Sequence, residues 1–293
     1  MKKFLALVGL LFILGLVFVV IIESLIIFFF YGDRFVTKGD KIGIIRLEGA
    51  IINSEEIIGI LKKYESRPDI KGYILRIESP GGSVAAVQEI YQEILNQERK
   101  GKRIVASMAN VAASGGYYVA LASQKIYANP GTLTGSIGVI INLINFQDLM
   151  QNWGIELKSV TSGPYKDTGS LARKMTPEEE ALLKELVNNV HNQFVQAVRE
   201  RRRLPEEALK NLTDGRILTG SQAYEAGLVD GLGGLEVAVQ ELAKLCGLKG
   251  KPRIIELKGK GLSSILESCS HILGKAFSPM GKPGVVNLKY SLN

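Results

Sequence analysis

Two apolar segments of this chain end in a glycine-rich turn that is followed by a helical pattern. Residues 71–77 (KGYILRI) lead into Pro80-Gly81-Gly82, and residues 103–108 (RIVASM) lead into a turn that contains Ser114. Strands that alternate with helices are joined by right-handed crossovers and build a largely parallel sheet. Ligands bind beyond the carboxyl ends of such strands, where both turns fall. The sequence therefore predicts an α/β fold of βαβ units with its site at this edge.

The N-terminus carries a long apolar run. Nineteen uncharged residues, Phe4 to Ile22, follow Lys2 and Lys3. At ~1.5 Å per residue this run can cross a ~30 Å hydrocarbon core. We expect an uncleaved anchor, because the apolar run is longer than the roughly 7 to 15 residues of a cleaved signal peptide and resumes up to Tyr31. The basic start predicts a cytoplasmic N-terminus, with the rest of the chain on the extracytoplasmic side of the cell membrane.

These patterns divide the chain into four parts. They are a transmembrane helix over 1–30, a linker over 31–40, one α/β domain over 41–257 and a C-terminal tail over 258–293. Within the domain, residues 157–161 are predicted to form a strand. Thr176 is predicted to cap a long helix, with Glu179 completing a capping box. That helix ends near Arg203 in an arginine cluster, which we interpret as solvated and facing acidic lipid headgroups.

Composition and spacing argue against several classes of function. The net charge of +7 is spread over the chain without the motifs of a nucleic-acid binder. The two cysteines lack CxxC spacing, and no HExxH motif occurs, so we expect neither a metal nor a cofactor. The Pro80 turn lacks the spacing of a phosphate loop. Ala112 stands where a G-x-S-x-G elbow requires its first glycine, which argues against an α/β-hydrolase.

Ser114 is the candidate nucleophile. Small residues surround it, and a helix N-terminus after it would place free N–H groups beside developing negative charge. A helix cap accounts for the same local pattern. A serine nucleophile also needs a base within hydrogen-bond reach. The two histidines, His191 and His271, lie in the long helix and in the tail, which disfavours a Ser-His-Asp triad.

A lysine can replace histidine as the base when burial leaves its amine neutral. Lys166 follows the predicted strand over 157–161 in a Gly-Pro loop, the same context as the other two turns. A solvated loop lysine would show the same local pattern. Pro80-Gly81-Gly82 offers unshielded backbone N–H groups for an oxyanion, although Pro-Gly is also an ordinary β-turn.

Several segments together resemble the signal peptide peptidase A family in its short, single-domain form, within the ClpP/crotonase-like superfamily. They are IESPGGSV (77–84), NVAASGGYYVALAS (110–123), YANPGTLTGSIGV (127–139), SGPYKDTGS (162–170) and LTDGRILTGSQAYEAGLVDGLGG (212–234). The resemblance covers roughly residues 41–257, with the segments in family order. It implies the ClpP/crotonase-like fold and a serine endopeptidase with a Ser-Lys dyad.

By position, the resemblance implies that Ser114 is the nucleophile and Lys166 the general base. Gly81 and Gly115 would supply the oxyanion-hole N–H groups, and Ser136 would orient the lysine amine. The substrates implied are released signal peptides and misfolded exported proteins, with the N-terminal helix in membrane lipid.

The short form has one copy of the serine and lysine motifs. The resemblance therefore implies a homo-oligomeric ring in which Ser114 of one subunit meets Lys166 of its neighbour. The alternatives are another membrane-bound ClpP-class protease of the kind paired with stomatin-like partners, a non-catalytic oligomeric scaffold or peptide-binding module, and a crotonase-type acyl-CoA enzyme.

Overall fold

The computed structural model describes residues 14, 15, 17, 18 and 39–259, together with the backbone of 289 and 290. The chain divides into two compact units, Met1–Gly39 and Asp40–Asn293. Residues 14, 15, 17 and 18 of the first unit are helical. No helix in the described part of the chain is both long and apolar enough to span a bilayer. The predicted anchor lies mostly outside the described residues, as does most of the predicted tail.

The second unit alternates strands with helices. Its described strands are β1 Lys41–Glu48, β2 Ile70–Ser79, β3 Gly82–Ser83, β4 Arg103–Ala113, β5 Lys125–Ala128, β6 Leu133–Gly135, β7 Ile217–Thr219, β8 Gly231–Leu232, β9 Arg253–Glu256 and β10 Lys289–Tyr290. Its described helices are α1 Glu55–Glu65, α2 Val84–Arg99, α3 Gly115–Leu121, α4 Gln147–Asn152, α5 Pro177–Arg202, α6 Glu206–Leu212, α7 Gly220–Glu225 and α8 Leu235–Leu245.

Most strands form one sheet in the order β7-β6-β4-β2-β1-β9, with β5 beside β4 and β8 beside β5. Its pairs are parallel apart from β6 with β7. A second, two-stranded sheet pairs β10 antiparallel with β3. The predicted mixed α/β architecture with a mainly parallel sheet is confirmed.

Helices cover both faces of the main sheet. On one face, α8 packs on β1, β2 and β4 through an apolar cluster that includes Ile42, Ile74 and Leu242. On the other face, α1, α2, α3 and the C-terminal half of α5 bury the larger core, which includes Tyr73 and Phe194. Strands covered on both faces have nearly continuous apolar sequences, as β1 and β2 do.

Local sequence signals account for the start of α5, as predicted, and for the end of α7. Thr176 caps α5: its hydroxyl accepts from the Glu179 N–H at 3.2 Å, and the Glu179 carboxylate accepts from the Thr176 N–H at 2.9 Å. Pro177 occupies the first helical position, which confirms the capping box. Gly227 follows α7 with a φ of +75°, a conformation that glycine adopts without strain.

A long exposed segment, here called the arm, spans residues 141–189 and includes α4 and the first half of α5. Over residues 141–180, all of which the structure describes, Glu179 alone is buried. The strand predicted over 157–161 is wrong, because these residues have no strand conformation and Val160 is 93% exposed. An apolar run forms a strand only where a neighbouring strand completes its backbone hydrogen bonds.

The arginine cluster at the end of α5 is only partly solvated. Arg201 donates from Nε to the Leu121 carbonyl at the end of α3, at 2.9 Å. Arg202 donates to the Gly227 carbonyl at 2.8 Å and pairs with Asp230 at 2.9 Å. The lipid-facing interpretation is wrong for these two arginines, because carbonyl groups left open at helix ends hold them inside the domain.

Candidate active site

The Ser114 turn follows directly from β4, which extends five residues beyond the predicted strand end at Met108. Ser114 caps α3 with φ +52° and ψ −119°, a conformation that non-glycine residues rarely adopt. Its N–H donates to the Gly135 carbonyl at 2.8 Å, and its own carbonyl accepts from the Tyr118 N–H at 2.9 Å. The strained turn is therefore fixed by hydrogen bonds on both sides.

The Ser114 hydroxyl is buried and has no hydrogen-bond partner among the described residues. A buried hydroxyl without a partner costs free energy, so such a group calls for a functional explanation. Strained residues also concentrate at active sites. Both observations raise Ser114 above an ordinary helix cap, and its side chain makes no capping hydrogen bond.

The glycine turn after β2 lies beside Ser114 because β2 and β4 are neighbours. Their register shifts near the carboxyl end, so that Ser79 pairs with Ala112. Gly81 has a φ of +106°, and its N–H donates to the buried Ser79 hydroxyl at 3.1 Å. A side chain at Gly116 would come within 2.8 Å of the Ser79 carbonyl, so the start of α3 packs tightly on the end of β2.

Ser136 lies on the other side of Ser114. Strand β6 pairs with the last residues of β4, which places Gly135 and Ser136 next to the turn. Ser136 is buried with a φ of +48°, and its N–H donates to the Arg216 carbonyl at 2.7 Å. The buried Thr134 hydroxyl donates to the Ala112 carbonyl at 2.7 Å. The structure thus brings the turns of Ser114, Gly81 and Ser136 together.

Helix α3 is anchored in the core along its whole length. The Tyr117 hydroxyl donates to the Leu228 carbonyl at 2.8 Å, and burial raises the pKa of Tyr117. Tyr118 packs between Tyr91 and Phe194, with ring centroids 5.0 and 4.8 Å away. Gly115, the first residue of α3, has its N–H at a position that lacks an intrahelical acceptor. The fixed helix therefore holds the Ser114 turn in place.

Lys166 does not meet Ser114 within one chain. It lies on the exposed arm, where its backbone N–H donates to the Gly163 carbonyl at 3.3 Å. Since the Ser114 hydroxyl has no partner among the described residues, the Lys166 amine is not within hydrogen-bond reach of it. His191 contacts the Thr213 carbonyl through Nε2 at 2.8 Å, in keeping with a packing role, and His271 lies outside the described residues.

Some residues that shape the site were missed from sequence. Ser79 and Thr134 bind backbone groups on either side of the Ser114 turn. Arg173 and Glu179 form an ion pair behind the Lys166 loop. The alternating threonines of TLTGS could have indicated inward-facing hydroxyls. No local signal pairs Arg173 with Glu179, because Glu179 was assigned only to the capping box and Arg173 has the pattern of an ordinary charged residue before a helix.

Gly82→Ala is expected to damage both fold and activity, because the new methyl group would overlap the backbone of Ile51. Ile51 is held there by its N–H to the Gly81 carbonyl at 2.9 Å and by its carbonyl to the Ser83 N–H at 2.7 Å. Overpacking of this kind costs about 1–3 kcal/mol of unfolding free energy. Denaturant unfolding and peptide hydrolysis measure the two effects. Gly131→Ala is the control, since its methyl group would meet nothing within 4 Å; equal results for both variants would contradict the prediction.

A mainly parallel α/β sheet with a buried serine at a strained strand-to-helix turn defines a serine hydrolase. The model of peptidase family S49 matches residues 96–249, which include Ser114, Ser136 and Lys166. The chain belongs to peptidase family S49 and is a serine peptidase.

Relatives with protease names extend over most of the domain. A Synechocystis sp. protein described as a protease, slr0021, is 43% identical over 71% of this chain and 75% of its own length. An Enterococcus faecium protein described as a signal peptide peptidase, SppA, is 38% identical over 66% of this chain and 56% of its own length. The chloroplastic serine protease SPPA of Arabidopsis thaliana is 32% identical over 74% of this chain but only 34% of its own length.

Among solved structures, a mutant of the 1510-N membrane-bound stomatin-specific protease aligns with a TM-score of 0.49 and 16% identity, over 76% of this chain and all of that chain. At this level of likeness the alignment distinguishes neither fold family nor activity.

Proposed function

We propose that this chain is a membrane-anchored endopeptidase of the SppA type, with the ClpP/crotonase-like fold, that hydrolyses released signal peptides and misfolded exported proteins. The observation that carries the proposal is the buried, strained Ser114, whose hydroxyl has no partner in the described part of the chain and lies between two glycine turns. The name of the Enterococcus relative supports the substrate class. The uncharged run from Phe4 to Ile22 supports a single-pass anchor with the peptidase domain outside the cytoplasm.

In the proposed reaction, the neutral Lys166 amine takes the proton of the Ser114 hydroxyl while Oγ attacks the peptide carbonyl carbon. The C–N bond then breaks, and Lys166 returns the proton to the leaving nitrogen. Water next loses a proton to Lys166 and attacks the ester, and Ser114 regains its proton as the acid leaves. Ser136 orients the amine by hydrogen bonding.

The N–H groups of Gly81 and Gly115 stabilise the oxyanion in this proposal. Each such donor is worth about 3 kcal/mol of barrier. The oxyanion would replace the Ser79 hydroxyl as the acceptor of the Gly81 N–H. Until substrate binds, the Ser79 hydroxyl satisfies this N–H, which would otherwise be buried without an acceptor.

A ring of subunits would complete the dyad. Over the arm many of the large apolar side chains are exposed, as core residues of an interface would be in an isolated chain. They include Phe146, Leu149, Trp153, Ile155, Leu157, Leu182 and Leu186. An arm docked on a second copy would bury this surface and carry Lys166 toward the neighbour's Ser114. Burial there would also favour the neutral amine that a general base needs.

Strand β3 is the proposed edge for the substrate main chain. Gly82 and Ser83 pair antiparallel with the backbone of Tyr290 and Lys289. This pairing is a model for an extended peptide that adds a strand beside the glycine turn. A substrate bound in the same way would present its carbonyl groups next to Gly81.

Labelling of the detergent-solubilised full chain with a serine-directed acylating probe tests the proposed dyad. We expect labelling of the unmodified protein and its loss in both Ser114→Ala and Lys166→Ala. Ser123→Ala should label normally, because this serine lies at the opposite end of α3. Labelling that survives in Ser114→Ala and Lys166→Ala would contradict the dyad.

A further inference from the structure

The loop that carries Lys166 has little to hold it on its N-terminal side. Residues 151–162 are exposed without exception, and all of them are described. The hydrogen bonds just before Lys166 are short-range, such as the Thr161 hydroxyl to the Gly163 carbonyl at 3.0 Å. A general base must be held in place to act, so the Lys166 loop has to be fixed from its C-terminal side.

Arg173 makes that connection. Its guanidinium binds both oxygens of Asp167, the residue next to Lys166, through Nε at 3.0 Å and Nη2 at 2.7 Å. The same guanidinium binds both oxygens of Glu179, with Nη1 to Oε2 at 2.8 Å. One side chain therefore links the residue beside Lys166 to the first turn of α5. We call Asp167, Arg173 and Glu179 the clamp.

Glu179 is the fixed end of the clamp. It is 2% exposed on an otherwise exposed segment, and it also accepts from the Thr176 N–H and, at 3.3 Å, from the Thr168 hydroxyl. A capping box on an exposed helix start does not require a buried glutamate. The additional arginine and threonine bonds turn this cap into an anchor for the loop over 166–173.

The clamp is ionised over the pH range in which a peptidase is assayed. The hydrogen bonds from Arg173 hold the pKa of Glu179 at about 2 and lower the pKa of Asp167. The two carboxylates raise the pKa of Arg173. A lysine would keep the positive charge but would replace this arginine only in part, because only the planar guanidinium fork binds two carboxylates with paired hydrogen bonds.

We propose that Arg173 and Glu179 are positioning residues that hold Lys166 in register with the nucleophile. This inference rests on the proposed function, since it gives Lys166 the role of the base. It adds a positioning role for the Arg173–Glu179 ion pair, and the local sequence around these residues does not indicate that role. Neither side chain touches the reacting atoms, and both act through the backbone between Asp167 and Arg173.

The test compares Arg173→Gln, Arg173→Lys and Arg199→Gln in the full chain in detergent micelles. Arg199 is the control, because its guanidinium on α5 binds a single carboxylate, that of Glu206, on the surface and far from the Lys166 loop in sequence. Peptide hydrolysis is measured over about pH 6 to 10, where the acid limb of kcat/KM reports ionisation of the base. Sedimentation and thermal unfolding are recorded for each variant.

We expect kcat/KM of Arg173→Gln to fall about a hundredfold, since small misplacements of a catalytic group have effects of this size. The acid limb should move to higher pH, because a poorly docked lysine meets more water, which favours its charged form. Loss of the Arg173 charge also favours the charged lysine, so Arg173→Lys, which keeps that charge, separates the effect of position from the effect of charge. Arg173→Lys should recover part of the activity, and Arg199→Gln should stay within about twofold of the unmodified protein.

Lys166→Ala, measured in parallel, separates the two proposals. If Lys166→Ala is inactive while Arg173→Gln keeps its rate and its pH profile, the clamp is overturned and the dyad stands. If Lys166→Ala remains active, both are overturned. Arg173→Gln could also lose activity because the protein dissociates or unfolds, or could lose it without any movement of the acid limb. Either result overturns the positioning role and assigns the clamp to folding or assembly.

Discussion

Ser114→Ala is expected to lower kcat/KM for peptide hydrolysis by at least about 10⁴-fold while the protein stays folded. The substitution removes only the hydroxyl group, whose oxygen forms the ester of the acyl-enzyme in the proposed reaction. The free energy of unfolding should not fall together with the activity. Because this hydroxyl is buried and finds no partner over the residues that the structure describes, its removal should leave the free energy of unfolding unchanged or raise it by up to about 1 kcal/mol. Alanine tolerates the φ of +52° no worse than serine does.

Ser123→Ala is the matched control for this prediction. Ser123 follows the other end of α3, and its hydroxyl is likewise buried without a partner among the described residues. We expect the same small change in unfolding free energy for both variants and full activity only for Ser123→Ala. Steady-state hydrolysis and denaturant unfolding measure the two quantities. Substantial turnover by Ser114→Ala would remove this serine from the mechanism.

Mixed oligomers of Ser114→Ala and Lys166→Ala chains are expected to regain activity, although each variant alone is inactive. If Ser114 of one subunit pairs with Lys166 of the next around a ring, about a quarter of the interfaces in an equal mixture carry both groups. The expected activity is therefore about a quarter of that of the unmodified protein. Co-expression of the two chains with different tags, followed by hydrolysis assays on doubly tagged oligomers, measures it.

Mixing the unmodified chain with a Ser114→Ala, Lys166→Ala double variant tests independently whether the dyad is shared between subunits. A dyad shared between neighbours again leaves about a quarter of full activity in an equal mixture, whereas a dyad within each chain leaves about half. No recovery in the first mixture together with half activity in the second would show that both groups belong to one chain. The exposed position of Lys166 leads us to expect the shared arrangement.

Much of the fold could be predicted from local patterns. The apolar strands β2 and β4, the capped helix α5 and the alternation of strands and helices all agree with the sequence-based expectations. These features depend on residues a few positions apart, which interact in any chain with that sequence. The strand predicted over 157–161 is wrong because a strand also needs a partner that is distant in sequence. Its local pattern was suitable, but these residues pair with no neighbouring strand among those described.

The sequence by itself determined the candidate nucleophile, the glycine turn and a fold that brings the carboxyl ends of β2 and β4 to one edge. Only the tertiary structure decided what surrounds Ser114. Its N–H binds a carbonyl 21 residues away at Gly135, and the register shift between β2 and β4 sets Ser79 opposite Ala112. Among the residues with a described position, none bonds to the Ser114 hydroxyl. Tertiary structure also placed Lys166 on an exposed arm and bound Arg173 to Glu179. Such contacts depend on how distant segments pack, and local propensity carries no information about that.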